Sequence, residues 1–284
     1  MKAQKFRNMI GSIIGFIIAF FILCPFFLVV INSAKTSADI VISPISLPKN
    51  WGQMLANFKG VINNVNFSYW SSFKSSLIIT VVSLILLTLF SSMAAWVLSR
   101  HHKEGWSNFI FMMFVAAMVI PFQVVMLPIL TVFKNIGNFT GIKMLSSYKG
   151  VVFAYLGFGG SIFVLHGFIK GIPKELEEAA WIDGCSPEGT FFRIIMPLLR
   201  PVQMTVLILN GLWIWNDYLL PSIMLGLNGK IKTLPIAVSS FVGSYVKQWD
   251  LILSAAFLAM IPIVLLFLIA QKQIIQGMVD GAIK

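Results

Sequence analysis

What this sequence has least of is charge. Asp, Glu, Lys and Arg make up 11% of its 284 residues, against about a quarter in an ordinary soluble domain. Ten acidic and 21 basic side chains cannot clothe a water-soluble surface on a chain that is 58% hydrophobic. A soluble globule is therefore excluded, and lipid is the solvent. Acid is the scarcer sign, which leaves a net charge of +11. The basic residues are dispersed through the polar segments, with no basic stripe and no aromatic stacking platform. They read as headgroup-level charges beside a bilayer, not as a nucleic-acid surface. Cysteine is nearly absent: Cys24 lies in the first apolar run and Cys185 in a distant polar segment, a placement that argues against a disulfide. No Gly-x-x-x-x-Gly-Lys-Ser/Thr loop occurs, so the chain lacks the usual cradle for ATP phosphates. No nucleophile–base pattern or metal-ligand spacing occurs either. The His101–His102 pair has only Glu104 beside it and reads as a solvated basic turn.

Long apolar runs are what the chain does have. A helix needs about 20 apolar residues to cross about 30 Å of hydrocarbon. Six runs qualify: 10–31, 73–98, 108–132, 151–170, 201–225 and 251–271. The expected fold class is thus all-α integral membrane, with six transmembrane helices. The first run has a basic start at Lys2, Lys5 and Arg7, as a signal peptide would. Its apolar stretch is too long for that, and Pro25 and Phe26 follow within it, so an uncleaved first span is predicted. Six spans put both termini on one side. With the N-terminus inside, 11 basic residues lie inside and 10 outside, which alone decides nothing. All four arginines (Arg7, Arg100, Arg193 and Arg200) fall inside, as does the basic turn 99–107. These favour cytoplasmic termini. The outer segments are then 32–72, 133–150 and 226–250. In the first, Pro44 and Pro48 predict extended chain before a short interfacial helix, and Trp51, Tyr69 and Trp70 suit the headgroup layer.

Half of the acids fall in one stretch, "PKELEEAAWIDGCSPEGTFFRIIMPLLRP" (173–201), as Glu175, Glu177, Glu178, Asp183 and Glu188. Its punctuation is that of two helices. Pro173 suits a first helical position, and the glutamates crowd the first turns, where the helix dipole favours negative charge. Gly184 stops the helix. Ser186 is a natural N-cap for the second, with Pro187 at its first position. A helix–glycine–helix elbow results, too polar to cross the membrane, with a Phe–Phe–Ile–Ile–Met face to pack inward. An ordinary interfacial loop helix and a docking segment are both open on these residues alone.

The spacing Glu178-Ala179-Ala180, three residues, Gly184, nine residues, Ile194, one residue, Met196-Pro197 resembles the EAA signature of ABC-importer permeases. The usual pattern ends in Leu-Pro, and Met196 is a nearly volume-conserving departure. The chain is most similar to the carbohydrate-uptake family of these importers, resembling the smaller permease of the maltose system. "IPFQVVMLPIL" (120–130), "WNDYLLPSIML" (215–225), "TLPIAVSSF" (233–241) and "QGMVDGAIK" (276–284) carry the likeness over most of the chain from about residue 10. The resemblance implies a type I ABC importer permease bundle with a cytoplasmic coupling-helix elbow. Glu178, Ala179, Ala180, Asp183, Gly184, Ile194 and Pro197 would form the ATPase-coupling set, with Glu178 facing a basic residue of the ATPase. It also implies the partners: a second homologous permease, two cytoplasmic ATPase subunits that bind ATP and Mg, an extracellular or periplasmic substrate-binding protein, and membrane lipid. No cofactor and no metal belong to this chain. Its place is the bacterial cytoplasmic membrane, multi-pass, with both termini inside.

The expected layout is an N-terminal part, 1–72, holding the first span and outer loop; a transmembrane core, 73–271, holding the elbow 173–197; and a tail, 272–284. The spans are nearly free of ionisable groups, which favours ATP coupling over a proton symporter. Asp217 is the main exception. Asn210, Trp213 and Asp217 follow i, i+3, i+7 on one helix face, with Asn216 and Tyr218 beside them. They are either a sugar-pathway wall or the outer end of span five with an interfacial tryptophan belt. In span three, Pro121 and Pro128 frame Gln123, as a gate or as a static kink. His166 is read as a packing residue, and Gly157, Gly159 and Gly160 as points of close helix approach. The expected function is an ATP-driven import permease for a sugar or oligosaccharide, without enzymatic activity of its own. The alternatives are the same machine for glycerol phosphate or an acidic oligosaccharide and, from another class, an integral-membrane enzyme or structural subunit.

Overall fold

The computed structural model describes residues 2–64, 67–227, 229–244 and 248–282. All regular structure among them is helical. The helices are α1 Lys2–Asn32, α2 Ser37–Ile42, α3 Gly52–Ile62, α4 Tyr69–Arg100, α5 Gly105–Val119, α6 Phe122–Thr140, α7 Tyr148–Leu156, α8 Gly160–Ile169, α9 Glu175–Ile182, α10 Pro187–Thr190, α11 Met196–Leu198, α12 Arg200–Asn216, α13 Leu219–Leu225, α14 Leu234–Ser244 and α15 Trp249–Ala282, with a π-helical turn at Phe191–Ile195. The chain divides into two compact units, 1–70 with 237–262 and 71–236 with 263–284.

In the first unit, buried and half-buried polar groups tie distant segments together. Asn57 donates from its amide to the carbonyls of Ser33 and Lys35, both at 2.9 Å. The Ser37 hydroxyl donates to Asp250 at 2.6 Å, and the Ser254 hydroxyl to the Ser33 carbonyl at 3.2 Å. Phe58 packs on Phe257 with centroids 5.6 Å apart. The buried Lys35 ammonium is met by Asn32 Oδ1 at 2.8 Å and the Ser43 carbonyl at 2.9 Å. Its desolvation pushes the amine below the usual lysine range, against the pull of Asp39.

In the second unit, α4 is the hub. Ser76 accepts from the Leu234 amide at 2.9 Å, Ser75 shares a hydrogen bond with Tyr148 at 2.9 Å, and Ser92 accepts from Gln203 at 3.0 Å. Small hydroxyls suit this place because they let helices approach closely and still bond across. One apolar core joins α4, α8, the elbow and α12 through Leu87, Leu98, Leu165, Ile195, Leu199 and Val206. A second gathers Ile79, Val151, Tyr155, Ile214, Leu220 and Met224.

Three helices are long and apolar enough to cross a membrane: Met9–Asn32 within α1, α4 and α6. The number rises to five if two bent pairs each count as one span. Three of the six apolar runs are therefore interrupted. The run 108–132 is divided at Ile120–Pro121, where Ile120 turns extended, with ψ 119°. Proline disfavours helical backbone in the residue before it. The run 151–170 bends by 44° between α7 and α8, where Gly157 and Gly159 flank Phe158. The run 201–225 stops at Asn216, because Asp217 is extended, with ψ 124°. The run 251–271 lies inside the single helix α15.

Gly159 shows why this bend needs glycine. A Cβ there would stand 3.0 Å from the Phe114 carbonyl oxygen of α5. Around Gly160 the nearest atom is 3.8 Å away, and at Gly157 it is that residue's own preceding turn. His166 is buried and stacks on Phe111 with centroids 4.0 Å apart. His101 and His102 each place Nδ1 2.9 Å from a carbonyl of the last turn of α4. They supply partners that a helix C-terminus otherwise lacks. Among the described residues no cluster of His, Cys, Asp and Glu could hold a metal.

Candidate functional site: the acidic elbow

The elbow begins two residues later than expected: Pro173 precedes α9, which starts at Glu175. Gly184 then reverses the chain with φ +79°, a left-handed conformation that costs a side chain energy through its Cβ. The Cys185 amide donates to the Ala180 carbonyl at 2.9 Å and the Gly184 amide to the Trp181 carbonyl at 3.0 Å. This pair of bonds is a Schellman closure. Ser186 caps α10 by accepting from the Gly189 amide at 3.1 Å, with Pro187 at the first position. The next turn is π-helical and ends against Pro197. Proline donates no N–H, and a π turn absorbs such an interruption in the ladder.

Two faces follow. Inward lie Glu177, Ala180, Thr190, Phe191, Ile195 and Leu199, all buried. Outward lie Glu178, Ala179, Asp183 and Gly184, with Trp181 52% and Ile182 87% exposed. The paired alanines are thus separated: Ala180 packs within the chain and Ala179 faces out. Ile194 is half-buried and Pro197 exposed. Between the elbow and the end of α4 opens a cleft of about 430 Å³, lined by Trp96, Arg100, Lys174, Glu177, Glu178 and Trp181 among others.

Sequence reasoning missed Glu177. Its carboxylate lies 2.6 Å from Arg100 Nη2 and accepts from Arg100 Nε at 2.7 Å and Trp96 Nε1 at 3.1 Å. One signal was present. Adjacent residues on a helix point about 100° apart, so Glu177 and Glu178 could not share one face.

The second group of candidates surrounds an aromatic chain. Rings pack in the order Phe122–Phe158–Trp213–Tyr155, with centroids 6.3, 4.8 and 5.6 Å apart. Tyr155 donates to Asp217 Oδ2 at 3.0 Å, and the Leu219 amide donates to Asp217 Oδ1 at 2.9 Å. One carboxylate oxygen therefore braces the turn between α12 and α13, and the other ties that turn to α7. Asn210 donates to Ser161 at 3.1 Å, bridging α12 and α8. Asn216 donates back to the Leu212 carbonyl at 2.8 Å. Trp213 is 43% exposed, Tyr218 packs against the second apolar core, and Gln123 is exposed beside Phe122.

Residues 87–280, which include both groups, match the family model described as binding-protein-dependent transport system inner membrane component. The chain belongs to this family. It is a multi-pass membrane permease component, and relatives that match it along nearly its whole length are permeases. The chain is 39% identical to a probable starch degradation products transport system permease protein, AmyC, of Thermoanaerobacterium thermosulfurigenes, over 100% of each chain. It is 31% identical to the arabinooligosaccharides transport system permease protein AraQ of Halalkalibacterium halodurans, over 95% of each. It is 32% identical to the multiple sugar-binding transport system permease protein MsmG of Streptococcus mutans, over 93% of this chain and 92% of that one. The permease shares its fold with a chain of a bacterial ABC transporter that imports the acidic polysaccharide alginate. That match has a TM-score of 0.78 at 17% identity, covering 96% of this chain and 98% of that one.

Proposed function

We propose that this chain is a permease subunit of an ATP-driven importer for a sugar or oligosaccharide. The observation that carries the reading is end-to-end similarity at 39% identity to a permease named for starch degradation products. Relatives named for arabinooligosaccharides and multiple sugars stand beside it. Six spans fit the helices: α1, α4, α5 with the start of α6, α7–α8, α12 and α15. The first span and outer loop occupy 1–72, the core 73–271 and the tail 272–284. Both termini and the elbow face the cytoplasm, in keeping with the arginine bias.

The elbow is the coupling helix. Its exposed acids Glu178 and Asp183, the small Ala179 and the apolar Trp181 and Ile182 make a mixed face suited to a groove on a soluble ATPase subunit. Gly184 sets the angle between the arms, Ala180 and Ile194 seat them on the bundle, and Pro197 follows the π turn of the second arm. ATP and Mg bind the two ATPase subunits, so this chain needs no cofactor. A second, similar permease completes the pathway, and an external binding protein delivers the substrate. Trp213, packed on Phe158, is the strongest candidate for the pathway wall, because an exposed indole offers a flat face to a sugar ring; the exposed Gln123 is a second candidate. Asn210 and Asp217 support that wall by holding α12 to α8 and α13, with Asn216 and Tyr218 at its end.

The test is reconstitution of the chain with its ATPase and permease partners in vesicles. ATP hydrolysis is then measured with and without loaded binding protein. Stimulation by the loaded protein is expected, and failure of the chain to associate with any ATPase subunit would sink the reading.

A further inference from the structure

Arg100 is the last residue of α4, and its guanidinium is shared among three segments. Nε and Nη2 hold Glu177 in the first arm of the elbow, with the two side chains 11% and 3% exposed. Nη1 donates to the Ile169 carbonyl at 3.4 Å and Nη2 to the Ile172 carbonyl at 3.1 Å, where α8 ends. Trp96, one turn earlier on α4, donates to Glu177 and packs its ring on Phe191 of the second arm, with centroids 5.5 Å apart. The final turn of α4 therefore grips the end of α8 and both arms of the elbow.

Stability alone does not call for this arrangement, since apolar side chains of similar volume often serve a buried site as well as an ion pair. An ion pair with a planar, five-donor guanidinium adds fixed direction. The elbow has two places where it could pivot, the 171–174 turn and the Gly184 reversal. A push on an elbow free to pivot would be absorbed there before reaching the spans.

We infer that Arg100, Glu177 and Trp96 form a clamp that makes the elbow, the end of α4 and the end of α8 move as one body. Arg100 is thus a positioning residue for energy coupling. The inference rests on the elbow being the segment that docks the ATPase. The clamp carries displacement of α9 into two spans at once, without itself touching ATPase or substrate.

The experiment uses the assembled complex, with spin labels at Lys103 and Glu188 to read the spread of distances between the end of α4 and the elbow. Wild type gives a narrow distribution. Arg100→Gln and Glu177→Gln broaden it and lower substrate imported per ATP hydrolysed by about tenfold, within the usual range of coupling between sites. Each single variant leaves a buried charge alone and could misfold. The double variant Arg100→Met/Glu177→Met removes that hazard; it assembles, yet shows the same broadening and the same loss. Arg100→Lys keeps the charge without the fork and falls between. A double variant with a narrow distribution and wild-type import per ATP would overturn the clamp. Glu178→Lys, measured alongside, separates the two readings. If it abolishes import while the double variant imports normally, only the clamp is wrong. If Glu178→Lys also imports normally, the elbow is not the docking segment and both readings fall.

Discussion

Glu177 and Glu178 are neighbours in sequence with opposite roles, because successive side chains on an α-helix point about 100° apart. Glu177 is buried against Arg100, and Glu178 faces out with Ala179 and Ile182. Reversing the outer charge disturbs no internal contact of this kind. Glu178→Lys is therefore expected to reach the membrane at wild-type abundance and to lose import, measured as labelled-sugar uptake against immunoblotted protein. Gly184 fails for a different reason. With φ at +79°, Gly184→Leu costs about 1–2 kcal/mol in backbone strain and re-aims the second arm, so uptake falls although insertion is retained. Asn57 tests the other unit. Its buried amide serves the Ser33 and Lys35 carbonyls, and Asn57→Ala leaves both without that donor. A loss of about 1–3 kcal/mol is expected, seen as a lower Tm in detergent.

Among the helices, the informative contrasts lie where an apolar run is interrupted. Composition treats 108–132 and 151–170 alike, but one is divided by a proline and the other bent at a pair of glycines. The second break brings Gly159 against the Phe114 carbonyl, so the bend and the α5–α8 packing are one feature. Gly159→Ala forces that contact apart and is expected to destabilise by about 1–3 kcal/mol, as overpacking does. Gly167→Ala is the matched control, since nothing lies within 4 Å of its Cβ position. It is expected to be neutral or to stabilise by up to about 1 kcal/mol through helix propensity. Thermal unfolding of the two variants in one detergent checks both.

For the molecule as a whole, the orientation makes a direct prediction. In a background lacking Cys24 and Cys185, a cysteine at Lys103 or Glu188 should react with a membrane-impermeant thiol reagent only in inside-out vesicles. One at Lys49 should react only in right-side-out vesicles; the reverse pattern would invert the topology. The membrane class was legible from the residues alone, because twenty apolar residues in a row have no other comfortable solvent. So was the elbow, because Gly184, Ser186 and Pro187 act within a few residues of themselves, and so was the signature that led to the permease family. Which carboxylate turns inward was not legible. Glu177 and Arg100 stand 77 residues apart, and local spacing carries no record of a partner at that distance. Asp217 followed the same rule: periodicity set it on a face with Trp213, while its bond to Tyr155, 62 residues away, tied it to α7. Apolar pattern and turn chemistry are local properties of the chain, whereas the use of a buried charge depends on what the folded helices bring to it.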